Sequence, residues 1–280
     1  MRHYTPAMDE PQPKASIRQA LADARAEAAP LAVLVYAAIA LTLADYFFLP
    51  GKFSQLFPDL MQQYAPGIYY GTWAQVPRGT TAPWWGVLAP WVWWTGGMML
   101  VWVALPACLA RLMGLKLADL GLGTRGVPAK LPIYAGLYAA VLVAVFWGST
   151  HESFLRTYPF LKPAWCEHWT WAVLLSFWAV YALQFFCVEF FFRGYLLFAL
   201  EKRFGTGAIA FMIVPYCMIH FHKPLPEALG AIVAGVVLGW LALRTRSIWG
   251  GWLLHVAVAV SMDSLSLLKG DIGLPQAWWP

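Results

Sequence analysis

About seven long runs of apolar residues constrain the fold of this chain more than any other feature. They cover roughly residues 31–49, 85–109, 131–147, 169–200, 208–222, 228–243 and 248–268. A helix needs about 20 residues to cross the hydrocarbon core of a bilayer, and the runs scatter around that length. None of them alternates apolar and polar residues as a half-buried strand does. The sequence therefore predicts an all-α fold, a polytopic membrane helix bundle of about seven to eight transmembrane helices.

The composition agrees with a bilayer as the surroundings. Only 12% of the residues are charged, whereas soluble domains carry about 25%. The 17 Trp and 12 Tyr suit a protein with two membrane interfaces, where amphipathic rings collect. The net charge of +5 is mild, and no feature indicates a nucleic-acid partner.

Two regions are predicted along the chain. Residues 1–30 form a polar, cytoplasmic arm that contains a candidate amphipathic helix, and residues 31–280 form one transmembrane domain. The first apolar run ends at Phe-Phe-Leu-Pro-Gly and not at a small-residue cleavage site, which favours a retained span over a removed signal peptide.

Lysine and arginine predict the orientation in the membrane. With seven spans and the N-terminus inside, twelve of these residues lie on the cytoplasmic side and six on the outer side. This bias favours a cytoplasmic N-terminus. The abundance of Ala and Trp and the lack of Asn are typical of a bacterial protein. We therefore expect a multi-pass protein of the bacterial cytoplasmic (inner) membrane, whose long outer loops are candidates to cap a site or bind a partner.

Charged and histidine side chains inside the apolar runs predict a buried polar site. Glu189 and Arg193 are the only formally charged residues from Trp169 to Leu200. Four residues apart, they share one face of a helix. Ionised groups inside a membrane usually pair and face the protein interior or a water-filled cavity. His220 and His255, in later runs, are candidates to join them.

Three segments carry a family resemblance. They read Val-Glu-Phe-Phe-Phe-Arg-Gly at 188–194, Tyr-Cys-Met-Ile-His-Phe-His-Lys-Pro at 216–224, and Trp-Leu-Leu-His at 252–255. Their order and spacing resemble the CPBP family of intramembrane proteases, which includes the CAAX prenyl endopeptidases and Abi-type bacteriocin-processing proteins. The family patterns are EExxxR, FxxxH, and HxxxN or HxxxD. The resemblance places a CPBP-like core at about residues 169–268.

The resemblance implies an intramembrane endopeptidase acting on a peptide or protein substrate in or at the membrane. In such an enzyme a glutamate activates a water molecule, and histidines orient the water and stabilise the oxyanion. The implied catalytic residues are Glu189, Arg193, His220 and His255, with His222, Tyr216 and Asp263 as secondary candidates. The resemblance favours a site that requires no cofactor, although Glu189, His220 and His255 together could equally bind zinc.

Two departures from the family patterns bear on activity. Val188 stands where the family has the first glutamate, and Ala259 stands where the third motif has Asn or Asp. Adjacent residues differ by about 100° around a helix, so Glu189 does not simply replace the missing carboxylate. The alternative is a non-catalytic relative that acts as a binding or assembly partner of other membrane proteins. A transporter or proton relay is a third class that uses the same side chains.

Straight helices place the candidate residues at different depths in the membrane, and a tilt of the helices would be needed to bring them together. Counted at about 1.5 Å per residue from the predicted inner charges, Glu189 lies roughly 20 Å deep, His255 about 13 Å and His220 about 25 Å.

Overall fold

The computed structural model describes residues 17–64, 81–221 and 223–279, and these form a helical bundle. Apart from isolated bridges, the described residues contain no β-strand. The α-helices are α1 Ile17–Leu43, α2 Pro50–Leu56, α3 Pro58–Tyr64, α4 Trp84–Met98, α5 Leu105–Leu112, α6 Leu131–Gly148, α7 Glu152–Thr157, α8 Trp171–Glu189, α9 Leu197–Phe204, α10 Ala208–Met218, α11 Leu225–Thr245 and α12 Trp249–Lys269.

Three π-helical segments continue α-helices without a break, and two of them join one α-helix to the next. Ala44–Phe48 extends α1, Met99–Ala104 joins α4 to α5, and Phe190–Leu196 joins α8 to α9. A π-helical turn shifts the faces of a helix and is often found at functional sites. The third segment begins directly after Glu189 and contains Arg193, so it sets how these two side chains project.

Six helical runs within the described residues are long and apolar enough to cross a membrane, so the chain is a multi-pass membrane protein. They are Ala28–Phe48, Trp84–Leu112, Pro128–Gly148, Trp171–Met218, Leu225–Thr245 and Trp249–Lys269. The fourth run contains both the fourth and fifth spans predicted from the sequence, because α9 passes into α10 through a short 3-10 turn that begins at Gly205, whose φ is +55°. After this turn, α10 has 11 residues and is too short to cross a bilayer on its own.

At each end of the bundle, the connecting segments are hydrogen-bonded to one another. At one end, the backbone N–H of Ala82 donates to Trp165, and that of Trp171 donates to Ala277. At the other end, the N–H of Ile248 donates to Gly121. The side of the membrane on which each end lies stays a prediction. Of the predicted polar arm, residues 1–16 lie outside the described residues, and Ile17 already begins α1.

Candidate functional site

Glu189 and Arg193 form a fully buried ion pair. Oε1 of Glu189 lies 3.1 Å from Nη1 of Arg193, and the two side chains are 1% and 0% exposed. The guanidinium carbon of Arg193 lies 3.9 Å from the centre of the Tyr216 ring, which adds a cation–π contact. The four-residue spacing thus brings the two charges together on one face, as the sequence predicts.

His255 connects this ion pair to Tyr216. Nδ1 of His255 lies 2.8 Å from Oε1 of Glu189, and Nε2 lies 3.0 Å from the Tyr216 hydroxyl. The contact with the carboxylate does not have hydrogen-bond geometry, but it favours a proton on Nδ1, and in that tautomer Nε2 accepts from the hydroxyl. Phe185 stacks on the imidazole with an interplanar angle of 4° and fixes its plane. The result is a carboxylate–imidazole–hydroxyl series that runs from Glu189 to Tyr216.

The different depths estimated for Glu189 and His255 on straight helices are wrong, because their side chains lie 2.8 Å apart. The helical run from Trp171 to Phe204 is longer than a bilayer requires. Trp249, the first residue of α12, packs against Phe186, with ring centres 5.6 Å apart. The first turn of α12 therefore lies against α8, with Gly251 beside the Glu189 carboxylate, and His255 one turn further on reaches the same carboxylate.

His220 lies in the turn after α10 and presents one free nitrogen. Its Nδ1 is 2.9 Å from the backbone carbonyl of Tyr216, an obligate acceptor, so Nδ1 donates and Nε2 is left as an acceptor. Burial, together with the nearby Lys223 ammonium, lowers the pKa of His220 to about 3. The imidazole is therefore neutral at physiological pH.

A cavity of about 330 Å³ lies beside these residues. His220, His255 and Tyr216 line one side of it, and the other walls are mainly aromatic: Trp94, Trp102, Phe160, Tyr181 and Phe185. The end of the first span also contributes, including the exposed Asp45 and Tyr46. Phe160 belongs to a loop predicted as a possible cap. The cavity thus combines an apolar interior with a few convergent polar groups, as ligand sites do.

Val188, and not Glu189, lines this cavity. Glu189 points to the neighbouring helices and contacts Arg193 and His255. The 100° between adjacent helical residues, noted from the sequence, separates the two positions. A carboxylate at position 188 would face the cavity directly, whereas Glu189 reaches it only through the imidazole of His255.

The remaining predicted candidates lie elsewhere. Asp263 is buried, with Oδ2 accepting from the indole of Trp178 at 3.1 Å, and it is not among the residues that line the cavity. His222 lies outside the described residues. Within the described residues, no three His, Cys, Asp or Glu side chains are grouped closely enough to hold a metal ion. Glu189, His220 and His255 do not form such a group in the described part of the chain.

Gly251 allows Glu189 to approach α12. A Cβ atom at position 251 would lie 2.4 Å from Oε2 of Glu189. We expect Gly251→Ala to destabilise the protein by about 1–3 kcal/mol, because this overpacking displaces the buried carboxylate. Thermal unfolding in detergent measures the effect. Gly136→Ala is the matched control, since nothing lies within 4 Å of its added Cβ and the protein should gain about 0.5–1 kcal/mol. Equal effects of the two substitutions would contradict the tight contact.

One of three comparisons with known proteins gives a match. No curated protein and no solved structure matches the chain. Residues 168–261, about a third of the chain, match the family model described as Rce1-like, type II CAAX prenyl endopeptidase. This match confirms the predicted relationship to the CAAX protease family for the segment that contains Glu189, Arg193, Tyr216, His220 and His255.

Proposed function

We propose that this chain is an intramembrane endopeptidase that hydrolyses a peptide bond of a membrane-associated substrate in the cavity, and that Glu189 acts through His255. The observation that supports the proposal is the series from the Glu189 carboxylate through both nitrogens of His255 to the Tyr216 hydroxyl at the cavity wall. An imidazole with a carboxylate behind it is an effective general base, because the carboxylate stabilises the imidazolium that forms.

The proposed reaction begins when the Tyr216 hydroxyl turns from His255 to the substrate carbonyl oxygen and water takes its place between Nε2 of His255 and Nε2 of His220. His255 removes a proton while the water oxygen bonds to the carbonyl carbon. The Tyr216 hydroxyl donates a hydrogen bond to the oxygen of the tetrahedral intermediate. His255 then returns the proton to the leaving nitrogen as the C–N bond breaks. Glu189 remains ionised throughout, and the proposed mechanism uses no metal.

Arg193 has a positioning role in this proposal. Its guanidinium contacts the carboxylate of Glu189 on one side and the ring of Tyr216 on the other. It therefore fixes both ends of the series and compensates the charge of Glu189 in a region without solvent. Position 216 is Phe in the family pattern, so the hydroxyl is a feature of this chain.

A cleavage assay with the variant Tyr216→Phe tests the proposal. The substrates are fluorogenic peptides that carry either an S-farnesyl cysteine near the carboxyl end or an N-terminal palmitoyl chain, in detergent micelles. We expect the wild type to cleave a peptide from these sets and Tyr216→Phe to lower kcat by 10- to 100-fold with little change in KM, because the variant loses the hydrogen bond to the intermediate, as well as the one to His255 in the resting state, and keeps the aromatic ring. The thermal unfolding of the variant serves as the folding control.

A second function is favoured by one observation, the apolar Val188 at the cavity wall. A cavity without a carboxylate at that position suits a non-catalytic protein that binds a peptide segment of another membrane protein. Absence of cleavage by the folded wild type, in an assay where a relative with both glutamates is active, would overturn the endopeptidase proposal in favour of this one.

A further inference from the structure

Gln184 is a buried polar side chain that the proposed mechanism does not use. It lies on α8, one helical turn before Val188, and both residues line the cavity. Its side chain is only 5% exposed, and it has no hydrogen-bond partner among the residues that the structure describes. Its amide atoms are not among the fully buried polar atoms that lack a partner, so they are open to the cavity and available to a ligand there.

The free polar groups of the cavity discriminate between classes of ligand. The hydroxyl of Tyr216 contacts Nε2 of His255. Among the described residues of the wall, the amide of Gln184 has a free donor and a free acceptor, Nε2 of His220 is an acceptor, and the indole N–H of Trp94 is a buried donor without a partner. A hydrocarbon chain alone would leave these groups unpaired. The main chain of an extended peptide, with alternating N–H and C=O groups, pairs with them while its side chains contact the aromatic walls.

We infer that Gln184 binds the main chain of a substrate peptide, accepting from one N–H and donating to one C=O, so that the next peptide group lies at His220 and His255. The inference rests on the proposed function for the identity of the cavity as a peptide site. It adds a substrate-binding residue outside the three family motifs. Because Gln184 contacts the backbone, the amino-acid side chains of the substrate have little effect on this interaction.

Amide-to-ester exchange in the peptide provides the test. A fluorescent, S-farnesylated peptide and its esters, each with one backbone N–H replaced by oxygen, are titrated into wild-type protein and Gln184→Met, and Kd is measured by anisotropy. We expect one ester to weaken binding to the wild type about three- to tenfold and to have no effect on Gln184→Met. Leu183→Met, a change at the exposed neighbouring position, is the control and should respond as the wild type does.

The outcomes separate this inference from the proposed function, because binding is measured without turnover. If one ester binds the wild type more weakly than the amide peptide does, and this difference disappears in Gln184→Met, the result supports the backbone contact whether or not the peptide is cleaved. The inference would be overturned if the esters weakened binding to the wild type and to Gln184→Met equally, or if the peptide did not bind at all. Water would then be the partner of the amide. Cleavage with equal ester effects would leave the endopeptidase proposal standing without Gln184.

Discussion

Glu189→Gln should destabilise the protein by about 3–5 kcal/mol. The substitution keeps the shape of the side chain but leaves the charge of Arg193 without its carboxylate, at a position that is 0% exposed. Breaking a buried ion pair from one side is this costly because the remaining charge is neither paired nor hydrated. Reversible denaturation in mixed micelles, followed by intrinsic tryptophan fluorescence, measures the free energy of unfolding.

Two further variants show how much of the expected loss of stability comes from burial of the charge and how much from loss of its partner. Glu152 and Arg156 have the same four-residue spacing and an N···O distance of 2.6 Å, but their side chains are 77% and 76% exposed. Glu152→Gln should cost no more than about 0.5 kcal/mol. The double variant Glu189→Met with Arg193→Met should be more stable than Glu189→Gln alone, because no uncompensated charge remains. A Glu189→Gln effect as small as that of Glu152→Gln would show that Arg193 is hydrated.

The sequence contains enough information to predict the bundle and the ion pair of Glu189 with Arg193. Apolar runs near the length of a span become helices because lipid leaves no other way to satisfy the backbone. The spacing of Glu189 and Arg193 predicts their ion pair, and an isolated histidine in an apolar run predicts a polar partner. For His255 these partners are Glu189 and Tyr216.

The register between helices is not available from the sequence. The meeting of His255 with Glu189 depends on where α12 begins along the α8–α9 run, and the contact of Trp249 with Phe186 fixes this level. The π-helical segments also leave no clear signal in the residues that form them. Gln184 has a signal that could have identified it, since it is a lone amide in an apolar run, one turn from the variant position 188.

Val188→Glu is expected to raise kcat/KM for peptide cleavage by about 100-fold. Val188 is 4% exposed and lines the cavity with Gln184, His220 and His255, so a carboxylate at this position faces the reacting water directly. A positioned general base contributes about 10²–10⁴-fold, and we expect the lower end because burial of the new charge opposes its gain. The substitution also completes the paired glutamates of the family pattern. Steady-state cleavage of the peptide that the wild type cleaves best provides the measurement.

Val188→Gln distinguishes chemistry from packing in this experiment. It has the shape of the glutamate variant and hydrogen-bonding atoms, but it lacks a basic oxygen, so its rate should not rise above that of the wild type. A rise shared by both variants would indicate that a larger polar side chain improves substrate binding, and KM would fall instead of kcat rising. A folded Val188→Glu protein that cleaves nothing would argue that the cavity binds peptides without hydrolysing them. The series from Glu189 to Tyr216 would then hold three helices together and move no proton.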